Sequence, residues 1–403
     1  MGNFAVEKLL AARTSAADEG AIGRMAQRSR DLRARGQDII SLTLGEPDFD
    51  TPLHIQQAAT AAMAAGFTHY SPVQGLPELR QALARKFKAE NGLDYDAAEI
   101  SVGNGAKQVI VNAVMSLVEP GDEVIMLAPF WVSYAITVKL AGGTPSVLPA
   151  SVAEGYKTPA SRIAAALTQK TKLLMLNSPC NPSGALWSAT EFAEIARLVA
   201  DHPRLLVLSD EIYEYIVFDG KFSSFAAQPG MRERTITVNG FSKGFAMTGW
   251  RLGYAAAPAA ITRAMTVMQS NSTAGVNPFV QRAGIAALEG SRDEVERMRL
   301  RYKARRDMVL AALRAMPDIG IGDIPATFYA FPDVSALLGR KAGNHVLDTS
   351  EQLCDWLLDE HGVATVPGTA FGAPNSIRLS FAASEADIEK ALARLARAFA
   401  RLS

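Results

Sequence analysis

The chain has 403 residues, and its 41 lysines and arginines balance its 41 aspartates and glutamates to zero formal charge. That balance argues against a polyanion-binding surface or a polybasic membrane patch. The 48% apolar content is ordinary for a globular protein with a large core, and the length predicts roughly two to three domains.

The N-terminal segment has no basic start and carries Glu7, Asp18 and Glu19, so it reads poorly as a secretion signal. Gly2 is followed by Val6 where a myristoylation signal requires Ser or Thr. No apolar run approaches the roughly 18 residues of a membrane span. Two cysteines, Cys180 and Cys354, cannot build a disulfide framework and are expected as reduced thiols in the cytoplasm. Five scattered histidines leave little material for a metal site.

From about residue 99, strand-like and helix-like segments alternate. EISVGNG precedes a helical KQVIVNAVMSLV, EVIMLAP precedes WVSYAITVKLAGG, and TKLLMLNSP precedes SATEFAEIARLVADH, where Ser188 and Glu191 have capping-box spacing. RLLVLSDEIY, RTITVNG and LGYAAAP are further strand candidates. Continuous apolar strands separated by amphipathic helices predict a mostly parallel sheet buried on both faces. Residues 292–316 read as one long helix. Beyond it, FYAFPDV, the helical TSEQLCDWLLDEHG, VATVPG, SIRLSFA and a last helix opened by Ser384 predict a smaller α+β domain. The expected fold is α/β: a three-layer large domain over residues 45–295, and a small domain built from 1–44 and 296–403.

In an open parallel sheet, ligands sit at the carboxyl ends of the strands. The polar residues there are Asn104 to Lys107, Pro129 to Trp131, Asn177 to Gly184, Asp210 to Tyr213 and Asn239 to Lys243. Gly-Phe-Ser-Lys-Gly at 240–244 formally matches GxSxG, with Ser242 as nucleophile and His345 or His361 as later triad candidates, but no HGGG-type oxyanion segment precedes it.

The longer stretch NGFSKGFAMTGWRLGY resembles the lysine region of the class I aminotransferases, which are fold-type I pyridoxal-phosphate enzymes. Other blocks match in the same order: SLTLGEPDFDTP, HYSPVQGLPELRQAL, GNGAKQ, APFWVSY, NSPCNPSG, SDEIYE, and VPGTAFG with SIRLSFA. The similarity spans roughly residues 20–400. GAKQ and GEPDFDTP look most like the bacterial aspartate aminotransferase subgroup.

The resemblance implies pyridoxal 5′-phosphate as cofactor and a role for each matching residue. Lys243 forms the Schiff base and, once released, moves the substrate proton; that work needs an amine that deprotonates easily. Asp210 pairs with the ring nitrogen, because the cofactor draws electrons only while that nitrogen is protonated. Tyr213 and Asn181 hydrogen-bond the 3′-oxygen. Gly105, Ala106 and Lys107 offer a helix N-terminus to the phosphate, joined by Ser242 and the Arg251 fork. Trp131 stacks on the ring. Arg378 clamps the substrate α-carboxylate beside the Gly45 backbone, and Trp131 and Asn181 also border the substrate. Tyr70 matches a residue that reaches the neighbouring subunit's phosphate, which implies a homodimer with shared sites. Glu211, adjacent to Asp210 and pointing the other way on a strand, reads as structural, and Ser178-Pro179 and Asn181-Pro182 are cis candidates, as in the family. Cys180 reads as a packed thiol.

The implied activity is amino transfer from aspartate to 2-oxoglutarate, the two substrates using the cofactor in turn. Lys107 matches a lysine contacting the distal carboxylate. Three positions depart from the pattern. Gly240 replaces a phosphate-binding Ser, and Gly20 and Ile22 replace the Ser-x-Thr that assists acidic substrates. Aromatic or other neutral amino-acid donors, a carbon–sulfur lyase on the same scaffold, a regulatory pyridoxal-phosphate-binding domain and the GxSxG hydrolase are the alternatives.

Overall fold

The computed structural model describes residues 9–15 and 20–403. The readings on Gly2, Val6, Glu7, Asp18 and Glu19 lie outside the described residues. After a short strand β1 (Ile40–Ser41) come β2 (Ile100–Gly103), β3 (Glu123–Ala128), β4 (Thr144–Pro149), β5 (Thr171–Asn177), β6 (Leu206–Asp210), β7 (Thr235–Gly240) and β8 (Gly253–Ala256). Strands β2 to β8 form one seven-stranded sheet in the order β2-β8-β7-β6-β5-β3-β4. Only β8 runs antiparallel to its neighbours, β2 and β7; the other pairings are parallel.

The continuous apolar runs have a direct cause. On β5, Leu173 and Met175 enter one buried cluster with Val109, Val124 and Leu208, while Leu174 and Leu176 enter another with Phe192, Ile195 and Val207. A strand alternates its side chains with period two, so covering both faces requires every position to be apolar. The edge strand β4 is absent from the sequence expectations because Pro145 and Pro149 mask it; an edge tolerates proline since one side of its ladder is unpaired. The helix Ala189–Asp201 starts with the expected Ser188/Glu191 capping box. The helix Asp293–Arg314 is continuous, and Ser384 caps Glu385–Phe399.

Further on lie β9 (Tyr329–Ala330), the hairpin β10 (Lys341–Ala342) and β11 (His345–Val346), β12 (Val363–Ala364), β13 (Val366–Pro367) and β14 (Ile377–Ser380). Strands β13, β14 and β9 make an antiparallel sheet in that order. Strand β1 pairs in parallel with β12, which ties the segment before residue 45 to the C-terminal elements. One buried cluster runs from Val102 and Tyr254 of the large sheet through Phe328 and Tyr329 to Leu353 and Leu395. Rigid packing therefore connects the two sheets and fixes what lies between them.

A buried ion pair sits behind the large sheet. Lys86 and Glu214 are in direct contact, with side chains 2% and 4% exposed, and Lys86 Nζ also donates to Asn91 Oδ1 at 2.8 Å. Lys86→Ala would leave Glu214 buried without its counter-charge. The expected loss is about 3–5 kcal/mol, checked by the denaturant midpoint of the purified variant.

Candidate active site

The carboxyl ends of β5, β6 and β7 deliver Asn177, Asp210, Ser242 and Lys243 to one cavity of about 410 Å³. The N-terminus of the helix Ala106–Leu117 adds Ala106 and Lys107, and the segment before the helix Ser133–Leu140 adds Trp131. Tyr329 of β9 and Arg378 of β14 close it from the smaller sheet, and Gly20, Ile22 and Gly45 close it from the N-terminal segment. Asn181, Tyr213 and Arg251 also line this cavity. Gly105 is not on the wall. It is the residue preceding the helix, with φ 86°, and a Cβ there would overlap the Arg251 guanidinium. Glycine is thus required on two counts, backbone and space.

Asp210 accepts a 2.7 Å bond from the Tyr134 hydroxyl and a 3.3 Å bond from the Ile212 N–H. Burial pushes its carboxyl up to about 6, against the downward pull of those bonds and of Lys243. Burial likewise pushes the Lys243 amine down to about 8, with Glu46 opposing and Arg378 and Arg251 assisting. An amine in that range is partly neutral near pH 8, as a nucleophile or proton carrier must be. Lys243 Nζ donates to the Gly45 carbonyl.

Arg378 is 1% exposed. Its guanidinium donates to Asn181 Oδ1 at 3.1 Å and to the Thr43 carbonyl, lies 4.6 Å from the Tyr329 ring centroid, and leaves Nε without a partner. Among the described residues no carboxylate pairs with it. Lys107 Nζ stands 5.1 Å from the Trp131 ring centroid, and its pKa is lowered first by desolvation and then by Arg251. Among the described residues, the wall therefore carries Lys107, Lys243, Arg251 and Arg378 against the single carboxylate of Asp210. Such a site attracts a ligand with several negative charges.

The profile of the family described as aminotransferase class I and II matches residues 37–395. The chain belongs to this family. It is 41% identical over 379 residues to an aspartate/prephenate aminotransferase of Cereibacter sphaeroides, covering 93% of this chain and 95% of that one. The crystal structure of the aspartate aminotransferase from Rhizobium meliloti superposes with a TM-score of 0.94 at 40% identity, covering 98% of this chain and 99% of that one. The Thermus thermophilus aspartate aminotransferase with maleate superposes at 0.91, again at 40% identity, covering 96% and 99%. The class I and II aminotransferase fold is thus the architecture described above, a mostly parallel sheet flanked by helices.

Within this aminotransferase, several expectations can be located. Ser178-Pro179 and Asn181-Pro182 are both cis, and so is Ala128-Pro129, which was not anticipated. Glu211 points away from the cavity, where Ser209 and Ser224 donate to its Oε1 at 2.9 and 2.8 Å. Burial pushes the Cys180 thiol up to about 11, which makes it inert. No histidine is among the lining residues, so Ser242 has neither His345 nor His361 beside it. Gly240 is not on the wall, and a Cβ there would press 3.0 Å from the Leu252 carbonyl. Tyr70 is 98% exposed and borders a separate surface hollow with His69, Ser71 and residues 273–279. Asn177, a polar strand end, and Tyr134, the last residue of APFWVSY, carry no assigned role in the sequence reading although both lie inside quoted blocks. Sequence reasoning missed Tyr329, which lies in a two-residue strand whose apolar neighbours make it look like core.

The Asp210 shift has a testable sign in ligand-free protein. The folded value of about 6 lies above the unfolded 3.8, so the folded state binds more protons between them. Stability therefore falls as pH rises through that window. Asp210→Asn should remove this slope and stabilise ligand-free protein at pH 7 by about 2–3 kcal/mol, read from denaturation midpoints against pH.

Proposed function

We propose that this aminotransferase moves the amino group of aspartate to 2-oxoglutarate with pyridoxal 5′-phosphate as cofactor. The observation that carries the reading is the wall, among the described residues, of four cations against one carboxylate, with Arg378 buried and without an acidic partner there. Pyridoxal phosphate fits that distribution: a dianionic phosphate suits Arg251 and the helix N-terminus, and a ring nitrogen cation suits the buried Asp210. When bound, the cofactor supplies a carbonyl carbon conjugated to an electron-withdrawing ring.

The chain's own residues do the rest. Ala106 and Lys107 N–H groups, with Ser242 and Arg251, hold the phosphate. Asp210 keeps the ring nitrogen protonated, Trp131 covers the ring, and Tyr213 and Asn181 donate to its 3′-oxygen. Arg378 grips the substrate α-carboxylate with a planar fork, beside the Gly45 backbone, and so orients the Cα–H bond. Lys243 Nζ would take the proton from the substrate Cα and pass it to the carbon that was the cofactor's carbonyl carbon. Lys107 Nζ answers a distal carboxylate, because an apolar side chain would leave that charge unpaired. The names of the relatives and the maleate, a dicarboxylate, of the Thermus thermophilus structure support an acidic substrate.

A second reading has its own observation. Gly20 and Ile22 are part of the wall, and Ile22 packs with Val132 against the Phe331–Phe371 cluster. That apolar flank favours admission of aromatic or aliphatic donors beside aspartate. The measurement is the ratio of kcat/KM for aspartate over phenylalanine and alanine. Aspartate should be preferred, and Lys107→Ala should lower the ratio on the order of 10-fold or more. No preference in the wild type, or an unchanged ratio in the variant, would overturn the assignment.

We read residues 45–295 as the cofactor-binding unit, with 1–44 and 296–403 as a smaller one, in a cytoplasmic homodimer. The span of β2 to β8, the β1–β12 pairing and the exposure of Tyr70, outside the cavity of its own chain, support this. Among the described residues no helix is long and apolar enough to cross a membrane. Sedimentation at assay concentration should give a two-fold assembly; a fully active monomer would sink the shared-site reading.

A further inference from the structure

Tyr329 stands where three functional groups of the cavity meet. Its hydroxyl lies 2.8 Å from that of Tyr213. Its ring lies under the Arg378 guanidinium, 4.6 Å from centroid to carbon. Gly45, whose carbonyl accepts from Lys243, presses so close that a Cβ there would overlap the Tyr329 hydroxyl. Both phenols are buried, 1% and 2% exposed.

The proton count is informative. Each phenol carries one proton and can accept as well as donate. Among the described residues, each hydroxyl has only the other as a hydrogen-bond partner. One contact uses one proton, so the second must find an acceptor, and buried donors are costly to leave unmet. Both residues line the cavity, so the second proton can reach an acceptor placed within it. If Tyr213 donated to Tyr329, its oxygen would face the cavity as an acceptor and repel an anionic oxygen. If Tyr329 donates, the Tyr213 proton is free for the cavity. Among the described residues, the other charged or titratable groups facing the pair are Arg378, Asp210 and Tyr134, with Tyr302 beyond Tyr329.

We propose that Tyr329 is a positioning residue that donates to the Tyr213 hydroxyl, and thereby aims the Tyr213 proton at the anionic ring oxygen of the bound cofactor. This rests on the role given to Tyr213 above. A phenol that accepts a hydrogen bond becomes a stronger donor through polarisation along the chain. A stronger donor draws charge from the ring oxygen and weakens the hold of the neighbouring Lys243 nitrogen on its proton once that nitrogen is bonded to the cofactor. Removing the Tyr329 hydroxyl reverses this.

The experiment is a pH titration of the near-visible absorbance of holoenzyme, without substrate, for wild type, Tyr329→Phe, Tyr213→Phe and the double variant. Tyr329→Phe should move the midpoint upward by roughly half to one pH unit, in the same direction as Tyr213→Phe and by less. The double variant should match Tyr213→Phe alone, because Tyr329 acts through Tyr213. A wild-type midpoint in Tyr329→Phe, or a shift that adds in full to that of Tyr213→Phe, would overturn the proposal. Equal cofactor stoichiometry and circular dichroism separate these outcomes from misfolding. Gly45→Ala, which crowds the same hydroxyl, should also raise the midpoint, and a lowered one counts against the proposal. Failure of wild type to develop a near-visible band with pyridoxal phosphate would instead sink the cofactor reading itself.

Discussion

A guanidinium cannot shed its proton, so burying Arg378 with no carboxylate partner among the described residues favours an anion beside it. Much of the site follows from that. Asn181 and the Thr43 carbonyl hold the fork in plane, Tyr329 and Phe371 supply aromatic faces, and Nε is left for an incoming group. The arginine comes from β14, whereas the amine and carboxylate that work with it come from the ends of β7 and β6. The continuous core between the two sheets, with the Arg378–Asn181 bond across it, keeps these groups in register.

The same burial that tunes the groups strains the ligand-free protein. Lys243 is driven toward neutrality and Asp210 toward protonation by the same loss of water, in opposite directions of charge. Each shift is a cost that a bound ligand relieves, by pairing with Asp210 or by consuming the neutral amine. Such a ligand should therefore stabilise this fold beyond the energy of its individual contacts, since it removes penalties as well as adding bonds. The Lys86–Glu214 pair behind the sheet is already satisfied internally and asks for no ligand.

Side-chain selectivity is a contest between two features of one wall. Lys107 offers charge beside Trp131, while Ile22, Val132 and Ile110 offer apolar surface. A carboxylate gains from the first and an aromatic ring from the second. The strength of the charge depends on how far the cavity excludes water, because a cation at the rim is screened far more than one at the floor.

The amino-acid sequence by itself determined the alternation of strands and helices, the cap at Ser188, the long helix after residue 292 and the block of residues around Lys243. These are local signals, written in period-two and period-3.6 patterns and in turn chemistry. Tertiary structure decided which of the polar strand ends face one another. It brought Arg378 and Tyr329 across from a second sheet and left Tyr70 outside the cavity of its own chain. Edge strand β4 was hidden by its prolines, and Tyr329 was hidden among core aromatics, since a buried phenol and a buried phenylalanine follow the same apolar pattern. The Tyr213–Tyr329 contact joins residues 116 positions apart. No spacing rule reaches that far; only the packing of two sheets on one core does.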